Sequence, residues 1–329
     1  MKLRELGEFG LIERIAGRVP RKTGVKIGIG DDAAAIEPTA GLLSLVTTDM
    51  LVEGVHFDLS LCDPLTLGRK SLSVNLSDIA AMGGLPRHFL LSLAIPRNVP
   101  VEFLDAFIEG MLERGDQFGV TLIGGDTSSS PAGLVISVTV IGEQSPDLIV
   151  KRSGAKPGDF ICVTGTLGDA ALGLALLKAG VRDGTAIARH LDPLPRVREG
   201  IKLAEAGIPS AMIDISDGLL ADLGHILDHS GTGARLYLEK LPISGEYREK
   251  QPLSKEEFFL FPLSGGEDYE LLFTTPPDKA PALQSIFAET GTTATVIGEI
   301  TPHAGLSVLT PSGIEYTPKH KGFNHFSRY

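Results

Sequence analysis

Six short loops in this chain of 329 residues place one or two acids beside glycine, serine or threonine, each at the end of a predicted strand. They are Gly28-Ile29-Gly30-Asp31-Asp32, Thr47-Thr48-Asp49, Asn75-Leu76-Ser77-Asp78, Gly124-Gly125-Asp126-Thr127, Asp214-Ile215-Ser216-Asp217-Gly218 and Gly265-Gly266-Glu267-Asp268. One acid next to a glycine reads as a turn or a helix N-cap. Asp78 and Asp217, each ahead of an apolar helical pattern, fit capping. Capping does not account for the adjacent pair Asp31-Asp32, nor for Asp49 straight after a β-branched run. Six such loops favour a shared purpose, and only a fold that gathers its strand ends serves it. Carboxylate and hydroxyl oxygens are hard ligands that suit Mg²⁺ or Mn²⁺, and Mg²⁺ completes its shell with substrate phosphates and water. The pattern points to a multi-metal phosphate site.

The same loops account for the charge. The formal charge is −11; of the 41 acids nine lie in the loops, and the other 32 are nearly balanced by 30 bases. An acidic chain argues against nucleic-acid binding, which needs basic patches. It leaves anionic substrates open, because bound cations invert the local sign. At 43% apolar and 22% charged residues the chain is too apolar for disorder. Aromatic residues are scarce and Trp is absent, so stacking platforms are few. Cys62 and Cys162 lie far apart and read as buried thiols of a reducing compartment. The opening residues show no apolar signal core, and no apolar run approaches the ~20 residues that span a bilayer. The expectation is a cytoplasmic protein without a membrane or nucleic-acid partner.

Strand patterns cover residues 42–48, 134–141, 160–164 and 269–274, and helical spacing covers 101–118, 170–179 and 218–229. Pro100 marks the start of the first helix. Turn residues between 142 and 158 mark the boundary between an N-terminal domain (1–148) and a C-terminal one (149–329). Residues 241–255 read as a charged surface excursion. Gly28-Ile29-Gly30-Asp31-Asp32-Ala33 fits the dinucleotide fingerprint in outline, but two carboxylates would repel a bare pyrophosphate. The P-loop signature and the protein-kinase motif set are absent.

Read in order, residues 28–34, 47–57, 75–83, 123–127, 151–158, 214–219 and 264–273, with the ending Gly322-Phe323-Asn324-His325-Phe326, resemble the thiamine-monophosphate kinase family. That family belongs to the group that includes aminoimidazole ribonucleotide synthetase. The resemblance implies an α/β and α+β two-domain fold. Its N-terminal sheet would form a barrel with a second subunit, giving a homodimer. The C-terminal α+β domain would leave ATP in the cleft between domains. It implies ATP-dependent phosphorylation of thiamine phosphate to thiamine diphosphate, in thiamine diphosphate biosynthesis, with several Mg²⁺ per active site. Carried over residue by residue, Asp32, Thr47, Thr48, Asp49, Asp78, Asp126, Asp214 and Asp217 are expected metal ligands. Gly125, Asp126, Arg152 and Ser216 are expected ATP contacts, and His56, Glu267 and Phe323 thiamine phosphate contacts.

The acceptor is a phosphate monoester whose second pKa is about 6, so its oxygen is mostly deprotonated at neutral pH and needs no general base. Repulsion between two polyanions is the obstacle, so metals and positioning should supply the catalysis by direct in-line transfer. Arg152 offers a bidentate fork to phosphate, or a solvated basic pair with Lys151. His56 reads as a contact or as a packed histidine. Phe323 is the best platform for the flat pyrimidine; the family more often has Tyr or Trp there. Lys70, Asn75, Asp31 and Asp268 form a second tier. Residues 165–169 read as a tight turn rather than a phosphate loop.

Overall fold

The computed structural model describes residues 3–20, 24–30, 32–252, 254 and 257–326, so Asp31 lies outside the described residues. The chain divides into two compact units, Met1–Ile79 with Gly84–Asp147, and Ala80–Gly83 with Leu148–Tyr329.

In the first unit, α1 (Leu3–Ala16) is followed by a short antiparallel pair, β1 (Val25–Ile27) and β2 (Ala35–Ile36). The main sheet follows: β3 (Leu43–Val52), then α2 (Pro64–Ala81), β4 (Leu85–Pro96), α3 (Val101–Phe118), β5 (Thr121–Ser130) and β6 (Val135–Gln144). Its strand order is β3-β6-β4-β5, and only the β4–β5 pair is parallel, joined through α3 as a parallel connection requires. α3 begins after Pro100 and ends where Gly119 turns left-handed at φ 72°. Its apolar face, Val101, Leu104, Phe107, Ile108 and Met111, is buried at helical spacing. Each such side chain contributes about 1.5–3 kcal/mol. Along the strands Leu45, Leu51, Phe89, Leu91, Leu93, Ile136, Val138 and Val140 point inward and are buried. The alternate positions face outward, and there Val46 is 66% and Met50 58% exposed.

Three loops expected at strand ends lie elsewhere. β3 runs on to Val52, so Thr47, Thr48 and Asp49 sit inside a strand. Gly124–Thr127 likewise falls inside β5. β3 and β5 are the two edges of the sheet, where polar residues and glycine are tolerated. Asp78 precedes no helix, because α2 starts much earlier. Asp63 Oδ1 accepts from the Thr66 amide at 2.9 Å and Pro64 opens the helix, leaving Asp78 near its C-terminal end.

The second unit contains β7 (Phe160–Thr164), α4 (Asp169–Lys178), α5 (Thr185–Leu191), α6 (Val197–Glu205), β8 (Ala211–Asp214) and α7 (Leu219–Ser230). It continues through β9 (Gly233–Tyr237), α8 (Gly245–Lys250), α9 (Leu260–Ser264), β10 (Leu271–Thr275), α10 (Leu283–Ala288), β11 (Ala294–Thr301) and β12 (Gly305–Leu309). The sheet order is β12-β9-β11-β7-β10-β8, antiparallel except for β9–β12. Ile161, Val163, Ile213, Leu236, Leu272 and Ile297 from the sheet and Leu219, Leu223 and Ile226 from α7 share one core. The stretch 241–255 is not a surface excursion throughout. Tyr247 of α8 is fully buried against Leu172, Ala186, Phe258 and Phe261, which a charged flanking sequence conceals.

Candidate active site

In the first unit the expected ligands fall on two faces of one sheet. Thr47 and Asp49 alternate with Thr48 along β3. The Thr47 hydroxyl donates to Asp78 Oδ2 at 2.5 Å, which joins strand and helix on the α2 side. Asp49 shares that side, and its carboxyl is pushed up to about 6 by burial and then by the nearby Asp78 charge. Thr48 faces the other way; its hydroxyl accepts from Thr139 at 3.0 Å and donates to the Val138 carbonyl at 3.2 Å. Asp126 pairs in register with Ser92, which pairs with Ser137 and so with Met50, placing Asp126 on the outward face. Asp32 is exposed, ahead of β2. Among the described residues no three His, Cys, Asp or Glu side chains are gathered into a metal-holding group.

Gly125 explains why β5 carries glycine at this point. A Cβ there would stand 1.8 Å from the Leu91 carbonyl oxygen, so only glycine lets the two strands approach. On α2, Lys70 and Asn75 are buried rather than surface residues. Asn75 lies one turn before Asp78 on the same helix face, and its Oδ1 has no hydrogen-bond partner among the described residues. His56 closes a turn after β3: its Nδ1 accepts from the Val52 amide at 3.0 Å, so the neutral ring carries its proton on Nε2.

In the second unit the loops do converge. Asp214 ends β8, nearly buried. Beyond it the amides of Ser216, Asp217 and Gly218 all donate to Asp222 Oδ2, at 3.1, 3.1 and 3.0 Å. Burial, reinforced by the Asp217 charge, pushes Asp222 up to about 7, against the pull of those three amides. The glutamate loop docks on the same segment, Glu267 N donating to the Ser216 carbonyl and Tyr269 N to that of Ile215, each at 2.8 Å. The C-terminal segment joins them. Phe323 N donates to the Asp217 carbonyl at 2.9 Å, and the ring is 37% exposed. Gly322 allows this docking, because it takes φ 147° and a Cβ there would meet Ala221 at 2.5 Å. Arg152 is exposed, one residue beyond Lys151, whose carbonyl accepts from Met212 of β8 at 2.9 Å.

Residues 165–169 form the tight turn. Gly168 N and Ala170 N donate to the Asp268 carboxyl at 2.7 and 3.2 Å, so the start of α4 is already capped by a side chain of the chain itself. Burial pushes Asp268 up to about 8 while the two amides lower it. Behind it, Arg196 forks onto Glu270 at 2.7 and 2.5 Å, and the Thr164 hydroxyl donates to the same carboxylate at 2.6 Å. Asp222, Glu270, Arg196 and His190, whose Nδ1 lies 3.1 Å from Glu267 Oε2, carried no signal in the sequence. No motif marks them, and their partners are set by the fold.

Residues 30–144 match the model for the AIR synthase related protein, N-terminal domain, and residues 156–310 match its C-terminal domain. Thiamine-monophosphate kinase of Salmonella typhimurium is 40% identical over 328 residues, covering 98% of each chain. The crystal structure of thiamine-monophosphate kinase from Stenotrophomonas maltophilia K279a superposes with a TM-score of 0.82 at 39% identity, covering 91% of this chain and 95% of the other. A structure described as AaThiL complexed with AMPPCP and TMP gives a TM-score of 0.76 at 37% identity over 99% of each chain.

Proposed function

The chain belongs to the thiamine-monophosphate kinases within the AIR synthase related proteins, and from that membership we propose that it phosphorylates thiamine phosphate with ATP, giving thiamine diphosphate and ADP. The observation that carries this reading is the likeness over 99% of the chain to a relative holding both AMPPCP, an ATP analogue, and TMP.

The chemistry of the donors fits Mg²⁺. They are hard oxygens, burial and the Asp78 charge raise the cost of ionising Asp49, and Asn75 Oδ1 is a buried acceptor without a donor among the described residues. Mg²⁺ uses one or two carboxylates plus substrate phosphates, so a pair of acids on one face suffices. Several Mg²⁺ are assigned per active site, and the residues assigned to them are Asp32, Thr47, Thr48, Asp49, Asp78, Asp126, Asp214 and Asp217. When bound, the metal neutralises phosphate charge and orients the transferred group. Gly125, Asp126, Arg152 and Ser216 are assigned to ATP, and His56, Glu267 and Phe323 to thiamine phosphate. The Phe323 face supplies a platform for the pyrimidine, and Arg152 a fork for phosphate. No residue is assigned as general base, because the acceptor oxygen is already deprotonated at neutral pH. Transfer is direct and in line, without a phosphoenzyme.

The reading treats residues 1–148 and 149–329 as the two domains, supported by the division between Asp147 and Leu148. It pairs two copies through the outward face of the four-stranded sheet, supported by the exposure of Val46 and Met50 there. The thiols Cys62 and Cys162, both free and pushed up by burial to about 11 and about 12, suit a cytoplasmic setting. Among the described residues no helix is long and apolar enough to cross a membrane.

Release of ADP in the presence and absence of thiamine phosphate tests the reading. It predicts release that depends on thiamine phosphate and on a divalent cation; equal release without the acceptor contradicts it.

A further inference from the structure

The segment that carries Glu267 is fixed at several points. Glu267 takes the left-handed region at φ 68°, which disfavours a side chain, and Tyr269 does the same at φ 48°. Between them Asp268 is tied to the start of α4, and the flanking amides are tied to Ser216 and Ile215. The backbone is therefore fixed at several points while the side chain remains 26% exposed. What fixes the side chain comes from α5. His190 Nδ1 lies 3.1 Å from Glu267 Oε2, and the His190 side chain is only 8% exposed. α5 is itself anchored: the Ala186 amide donates to Glu246 at 2.8 Å, and Arg189 reaches the Thr166 hydroxyl at 2.8 Å. A carboxylate has about four acceptor positions, so engagement of one oxygen by His190 still leaves capacity for a ligand donor.

We propose that His190 is a positioning residue, which holds the Glu267 carboxylate in the orientation that accepts a hydrogen bond from the aminopyrimidine of thiamine phosphate. The proposal rests on Glu267 being a thiamine phosphate contact. An unheld glutamate side chain samples several rotamers, and ordering it on binding costs affinity for that substrate alone. His190 thereby acts on the thiamine phosphate side of the reaction and leaves ATP binding as it is.

The test measures KM for both substrates, kcat and thermal stability in the wild type, His190→Ala, Glu267→Ala, the double variant and His190→Asn. His190→Asn keeps a nitrogen donor near the Nδ1 position. The proposal predicts that His190→Ala raises the KM for thiamine phosphate by up to about tenfold, the cost of ordering one freed side chain on binding. The KM for ATP stays unchanged, and His190→Asn recovers most of the loss. In the Glu267→Ala background the histidine substitution has no further effect on that KM. If His190→Ala unfolds the chain, His190→Asn and Glu267→Ala carry the comparison. A His190→Ala effect that adds in full to that of Glu267→Ala, or that falls equally on ATP, overturns the inference alone. Glu267→Ala with an unchanged thiamine phosphate KM overturns the assignment of Glu267 and the inference with it.

Discussion

Three backbone amides converge on a single oxygen of Asp222, and those amides belong to Ser216, Asp217 and Gly218. That arrangement makes Asp222 a brace for the loop assigned to metal and ATP. Asp222→Ala leaves three donors without their acceptor, each worth about 1–3 kcal/mol where it stays buried. The expected outcome is a lower melting temperature together with a raised KM for ATP. Asp222→Asn keeps an oxygen acceptor and should retain more of both, as thermal melts and steady-state kinetics would show. Melting that changes without any effect on the ATP KM would limit Asp222 to stability. The repeated motif marked Asp214 and Asp217 in the sequence, and both lie on the segment where the Glu267 loop and Phe323 dock. Asp222 and His190 were not, because Asp222 reads as an ordinary acid on a helix and His190 meets Glu267 from 77 positions away.

Elements read best where one physical signal dominates. α3 has a regular apolar face, a proline before it and a glycine after it, and it spans the predicted 101–118. β7 spans the predicted 160–164. β3 was read too short and β5 was not read as a strand, because Thr-Thr-Asp and Gly-Gly-Asp resemble loop sequence, while an edge strand accepts both. Asp49 and Asp126 accordingly sit within strands, on opposite sheet faces, and not in loops. β4 carries a further consequence. Its His88 is buried, Nδ1 has no partner among the described residues, and its pKa is lowered by burial and then by Arg87, against an upward pull from Glu143. The unfolded chain binds that proton near pH 6.5, the folded chain only at lower pH. The stability from a neutral His88 is therefore complete above pH 6.5 and declines as pH falls towards the lowered value. His88→Gln should flatten the denaturant midpoint between pH 7 and 5 relative to the wild type. Parallel profiles would contradict this.

The whole molecule carries a charge of −11, most of it matched by nine acids in the motifs read for one phosphoryl-transfer reaction. On the proposed reading, that charge should repel ATP and thiamine phosphate without a divalent cation and bind them with one. The outward face of the four-stranded sheet adds a second property at this scale. Met50→Arg places a charge in the proposed dimer face, and sedimentation should find a lighter species than the wild type. An unchanged mass would move the interface elsewhere. The central claim is the reaction itself, and mass spectrometry of the products formed from ATP, Mg²⁺ and thiamine phosphate tests it most directly. The account predicts thiamine diphosphate and ADP in equal amounts, with neither formed when the divalent cation is chelated. ADP and inorganic phosphate without thiamine diphosphate would contradict it.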